Sequence, residues 1–109
     1  MGRPADAIPL LKVAEDIYSS SDAYPVEYLR DTQYMLATAY FLKGEYELCR
    51  DYAEPLYPIL ETDDWINYML GVSYLDETIY DLEKARFYLL RAQELGMELS
   101  PEILKAIGE

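Results

Sequence analysis

The densest runs of reactive side chains are Glu61-Thr62-Asp63-Asp64 and Asp76-Glu77, the latter followed by Asp81 and Glu83. Carboxylates this close together could act as a general acid and base or hold a divalent cation. Acid–base work needs two carboxyl groups converging in a cleft with unequal surroundings. These runs fall at predicted helix ends and turns, where water screens them. Asp63 and Asp64 have an ordinary use there, capping the helix that contains Trp65 and complementing its dipole. A calcium loop alternates oxygen ligands around a central glycine, and Asp76 to Glu83 contains none. The chain has no histidine and a single cysteine, Cys49, so an internal disulfide and a cysteine-rich zinc site are both excluded. Cys49 falls among the small residues of a helix face and is expected to be a buried hydrophobe. Its glycines are scattered singly, without the spacing of a phosphate-binding loop. The expectation is no catalytic residue, no metal site, no cofactor and no enzyme activity.

At 109 residues the chain has room for one domain and one core. Twenty-one acids against nine bases leave a formal charge of −12, too acidic to neutralise a run of phosphates, so no nucleic-acid partner is expected. No amphipathic stretch carries a basic face, which counts against an anionic membrane surface. No run approaches the ~20 apolar residues of a membrane span, and the opening residues lack a secretory signal pattern. The expected location is cytoplasmic.

What must position the side chains is a repeat. Tyr34-Met35-Leu36-Ala37-Thr38-Ala39-Tyr40 returns 34 residues later as Tyr68-Met69-Leu70-Gly71-Val72-Ser73-Tyr74. Apolar positions in both copies step by three and four (Tyr34, Ala37, Thr38, Phe41; Trp65, Tyr68, Met69, Val72), which is helical periodicity. A second amphipathic stretch follows each copy: Tyr46, Cys49, Tyr52, Ala53 and Leu56 after a turn at Gly44, then Leu82, Ala85, Leu89 and Ala92 after Asp81. Small residues at those positions let two helix axes approach closely. The unit is a helical hairpin, and stacking two of them buries what neither buries alone. The expected organisation is a half repeat and loop over 1–24, hairpins over 25–63 and 64–99, and a capping helix over 100–109. In the half repeat, Ala7, Leu11 and Ala14 mark a helix face, and Pro9 is expected in its first turn or at a kink. Pro55 and Pro58 predict a kink, or a helix end after about Glu54. Ser100-Pro101-Glu102 is a helix start, and Ile103, Leu104 and Ile107 are expected to cover the end of the stack.

These residues resemble the tetratricopeptide repeat (TPR) family. Leu70-Gly71, Tyr74, Ala85, Leu89 and Ala92 carry most of its pattern, as do Leu36-Ala37, Tyr40, Gly44, Tyr46, Cys49 and Ala53. The aromatic that opens the pattern is replaced by Gln33 and by Asn67, and the second turn is about two residues longer near Thr78 and Ile79. The resemblance implies an all-α, TPR-like superhelix of stacked antiparallel hairpins, about two and a half repeats plus a C-terminal capping helix. It also implies a concave peptide-binding groove. Family positions carried onto this chain give Tyr34, Thr38, Phe41 and Leu42 on the first helix, with Asp31 at its edge. On the second they give Trp65, Tyr68, Val72 and Leu75, with Asp76 at the edge. Lys and Asn at such positions would grip an acidic C-terminal tail, but here they hold Tyr34, Thr38, Tyr68 and Val72. The implied partner is another protein, through an amphipathic segment with basic residues. Alternatives are a self-associating unit, or a fragment of a longer TPR array, covered by another copy. Tyr34 to Tyr57 is also similar to the cytosolic domain of mitochondrial fission adaptors; the second hairpin from Trp65 to Leu95 and the lack of an anchor segment stand against that narrower match.

Overall fold

The computed structural model describes residues 4–109, so the first three residues of the expected half repeat lie outside the described residues. Six helices follow in order: α1 (Pro4–Ser19), α2 (Val26–Lys43), α3 (Tyr46–Leu60), α4 (Asp64–Ser73), α5 (Leu82–Glu94) and α6 (Pro101–Ala106), with no strand among the described residues. The all-helical class read from periodicity is therefore found, and the helices pack in adjacent pairs: α1 on α2, α2 on α3, α3 on α4 and α4 on α5.

Local chemistry places the helix ends. Asp63, Asp81 and Ser100 each accept a hydrogen bond from a backbone N–H three residues on, at 3.0, 3.2 and 3.2 Å, starting α4, α5 and α6. α2 ends at Gly44, whose φ of 86° is left-handed and natural only to glycine, and whose N–H bonds back to Phe41 O. With Gly44 and Glu45 alone between them, α2 and α3 fold straight back on each other.

Each helix contributes one face to a shared core: Leu36, Ala37 and Tyr40 from α2, Cys49, Ala53 and Leu56 from α3, Ile66, Met69 and Leu70 from α4, and Ala85 and Leu89 from α5. Leu99 and Ile107, which flank α6, are buried in the same cluster, with Ile103 and Leu104 packed against it. Gly71 lets α4 approach α5 until their backbones nearly touch at Leu89. Cys49 is fully buried, and burial pushes its thiol up to about 11, which keeps it protonated and unreactive.

Two segments bear on the sequence expectation. Of the kink or early end expected at its prolines, α3 does not take the early end: it runs through Pro55 and Pro58 to Leu60. Both prolines are exposed, so the backbone bonds they forgo lie on the outer side of α3, while Ala53 and Leu56 stay buried. α4, in contrast, ends at Ser73, so Leu75 and Asp76 lie beyond it rather than on it. There the Asp76 carboxylate accepts from the Thr78 N–H at 3.2 Å and from the Thr78 hydroxyl, and the Tyr74 carbonyl accepts from Asp81 N. This local turn outcompetes another helical turn.

Tyrosines tie the layers together. The Tyr52 hydroxyl accepts from Lys12 and donates to Glu15, joining α3 to α1, and its ring stacks on Tyr40. Tyr74 donates to Glu54, while Tyr57, Tyr74 and Tyr88 form a ring group with centroids 5.1 and 6.1 Å apart across α3 and α5. Burial, reinforced by the neighbouring carboxylate, holds the phenols of Tyr34 and Tyr74 well above their ordinary value. Burial likewise raises Tyr57 and Tyr88. The folded chain therefore keeps protons that the unfolded chain releases above pH ~10. Stability is expected to be unaffected by these groups below that pH and to fall as pH rises through the native values. Denaturant titrations above pH ~10 should show this loss, reduced in Tyr34→Phe and in Tyr74→Phe.

Candidate binding surface

The polar and aromatic side chains of α2 and α4 meet on one surface. On α2, Tyr34, Thr38 and Phe41 follow at steps of four and three residues, so they form one row. α4 begins at its Asp63 cap, which sets Trp65 and Tyr68 one turn apart and facing that row. The Phe41 ring lies 5.5 Å from Trp65 and 6.0 Å from Tyr68, edge to face in both cases, and Trp65 stacks on Tyr68 at 5.7 Å. Tyr46 extends the group, 5.7 Å from Phe41. These are the offset and edge-on geometries that aromatic quadrupoles favour. The rings of Phe41, Trp65 and Tyr68 remain partly exposed.

Two polar links fix the arrangement. Trp65 Nε1 donates to Thr38 Oγ1 at 3.0 Å, and the Thr38 hydroxyl in turn points to the Met69 sulfur at 3.6 Å. One turn earlier on α2, the Tyr34 hydroxyl donates at 2.7 Å to Asp63 Oδ2, the same oxygen that caps α4. Phe41, Trp65 and Tyr68 are thus in mutual contact, Thr38 joins them through Trp65, and Tyr34 continues their row. Leu42 stands apart at 56% exposed. Val72 and Leu75 are half-buried against the core, Leu75 past the end of α4.

At the Tyr34 end of the row a cleft of about 400 Å³ opens between the start of α2, the end of α3 and the turn before α4. Its apolar wall is Leu56, Ile59 and Leu60; its lip carries Glu27, Arg30 and Asp31, with Asp63 at the back. Of these, only Tyr34 and Asp31 were legible as groove positions. The signal for the others was the spacing of Leu56, Ile59 and Leu60, which reads as one helix face once α3 is continued through its prolines. At the other end of the row, near the α2–α3 turn, Glu45, Glu47 and Asp76 surround a second depression of about 440 Å³. The aromatic row is therefore flanked by carboxylates at both ends. Among the described residues no three Cys, Asp or Glu side chains converge into a set that could hold a metal ion, and no helix is long and apolar enough to cross a membrane.

No protein-family model, curated protein or solved structure matches the chain.

Proposed function

We propose that this chain is a TPR-like superhelical interaction module, without catalytic activity, that holds a basic amphipathic segment of another protein along the α2–α4 surface. The observation that carries this reading is the aromatic row of Phe41, Trp65 and Tyr68 lying between two carboxylate-bearing depressions. Aromatic anchors supply contact area at low entropic cost, and the surrounding charge selects lysine and arginine. The superhelical reading is supported by the sequential packing of the helices and by the elongated envelope of 47 × 26 × 26 Å. A cytoplasmic, acidic scaffold or adaptor is the setting it suits.

The test is binding of a labelled synthetic peptide that repeats Leu-Lys-Lys-Leu-Leu-Lys-Leu, with a Glu-for-Lys peptide as control. Tyr68→Ala is expected to weaken binding of the Lys peptide by about 2 kcal/mol, the size of an interface hot spot. Added salt should mainly slow association. If Tyr34→Ala, Phe41→Ala and Tyr68→Ala all leave binding intact, the contact lies elsewhere.

One observation favours a second reading. Leu10, Val13 and Ile17 form a stripe along α1 that is 74, 57 and 47% exposed, and Ala7 is exposed although the matching Cys49 and Ala85 are fully buried under their hairpin partners. Another helix, from a second copy or a longer array, would cover that stripe. Sedimentation over a range of concentrations separates the readings: a self-associating unit grows heavier, and a monomeric adaptor does not.

A further inference from the structure

We propose that the cleft between α2 and α3 is an anchor pocket for one large apolar side chain of a partner helix that carries lysine or arginine one turn to either side. The proposal rests on the reading that the chain holds a basic amphipathic segment, and it adds where that segment is gripped and by what. At about 400 Å³ the cleft has ample room for a bulky side chain. The wall is chemically uniform. Leu56 is buried in the core beneath, Leu60 is half-buried, and Ile59 stands 55% exposed within a recess rather than on a convex surface. An inserted side chain would take the remaining area of Ile59 out of water and face the ring of Tyr34, which Asp63 holds in place.

The lip specifies the charge. Glu27 and Asp31 sit four residues apart on α2, where like charges on one helix face repel, and neither makes an ion pair or hydrogen bond among the described residues. A cation placed between them relieves that repulsion. Asp63 adds negative potential from behind, although its hydrogen-bonded oxygen is already engaged by Tyr34 and by the start of α4. Arg30 is the one positive side chain lining the cleft, and it too is without an ion pair among the described residues, so the balance at the lip is negative. A partner cation three or four residues from the anchor reaches that lip only if the segment is helical. Because Tyr34 belongs both to the cleft and to the α2 row, the same segment can continue onto Phe41 and Tyr68.

The experiment titrates the full chain with the labelled Leu/Lys peptide, following anisotropy and, in a methyl-labelled sample, the Ile59 methyl resonances. Ile59→Asp, at an exposed position, is expected to weaken binding about tenfold or more, the loss of one anchor contact. Ile59→Ala should give a smaller loss in the same direction, and it reads the cleft should the aspartate variant fold poorly. Arg30→Glu is expected to tighten binding of the Lys peptide, and Asp31→Lys to weaken it. Shifts of the Ile59 methyl signals on titration, with this order of affinities, support the anchor pocket. If the peptide binds and Tyr68→Ala weakens it while both Ile59 variants and the Ile59 signals are unmoved, the anchor pocket is wrong and the aromatic-row reading stands. If Arg30→Glu weakens binding, or the Glu peptide binds more tightly than the Lys peptide, the assigned charge of the occupant is overturned. If neither peptide binds at concentrations where the chain is monomeric, both readings fail together.

Discussion

Gly71→Leu is expected to lower the stability of the chain by about 3 kcal/mol, the upper end of what overpacking in a close helix contact costs. Gly71 lies in α4 with Leu89 of α5 directly opposite. A Cβ added there would run into Leu89 Cγ and stand 3.0 Å from the Leu89 backbone nitrogen. The side chain of Leu89 could rotate, but it is fully buried in the core and its backbone belongs to α5, so relief requires the two helices to separate. Separation opens space around Ala85 and Leu89, both fully buried, and forfeits their contacts. Even alanine should destabilise here. Its gain of roughly 1 kcal/mol in helix propensity is set against a collision with the buried Leu89 side chain and a tight 3.0 Å approach to its backbone nitrogen. Denaturant unfolding read by circular dichroism should show the midpoint shift with an unchanged slope, and Phe87→Leu, on the exposed side of α5, should move it by less than ~0.5 kcal/mol. An unchanged midpoint for Gly71→Leu would mean that α4 and α5 do not approach at this position.

Gly71 was legible because repetition reports on packing. The 34-residue spacing aligned Gly71 with Ala37, and the small-residue positions Cys49, Ala53, Ala85 and Ala92 are all fully buried. Periodicity sees such positions because every turn of a packed helix must repeat the same steric demand. It failed where a local rule met a tertiary contact. Pro55 and Pro58 each break a backbone hydrogen bond, and taken alone they end a helix. Burial of Leu56 on the opposite face and the solvent position of both prolines keep α3 going, and with it the wall of Leu56, Ile59 and Leu60 that forms the cleft. The opposite error occurred at Leu75 and Asp76, where the helical register continues in sequence but the Asp76–Thr78 turn captures the backbone first. Groove positions assigned by register also say nothing about exposure: Leu42 shares the row's helix yet stands out in solvent, because side-chain position around the axis differs by the full step between residues 41 and 42.

Asn67 is the other site where a large loss is expected. Its amide is fully enclosed. Asn67 Nδ2 donates to the Glu61 carbonyl at 3.2 Å and to the Asp63 carbonyl at 2.8 Å, and its Oδ1 accepts from the Tyr57 hydroxyl at 2.8 Å. One side chain thereby bonds the end of α3, the α3–α4 turn and, through Tyr57 of α3, the ring group that reaches α5. Asn67→Leu keeps the volume but takes the amide's partner from the Glu61 carbonyl and the Tyr57 hydroxyl, each costing about 1–3 kcal/mol when buried unpaired, while the Asp63 carbonyl keeps the backbone N–H of residue 67. Partial access of water to the turn limits the sum, and the expected loss is about 3 kcal/mol. Asn67→Asp separates the hydrogen bonds from the packing. Ionised, the carboxylate faces two carbonyl oxygens and the nearby Asp63, so its pKa in the folded chain must rise above the unfolded value near ~3.9. The native state then binds the extra proton, and stability relative to the parent falls as pH rises through the interval between the two values. Protonated, the group can still donate to one carbonyl and accept from Tyr57. Asn67→Asp should accordingly be closer to the parent at pH ~4 than at neutral pH, whereas Asn67→Leu should be equally destabilised at both. A pH-independent deficit for the aspartate variant would show that the site is open to water and that the amide does not bridge α3 to α4.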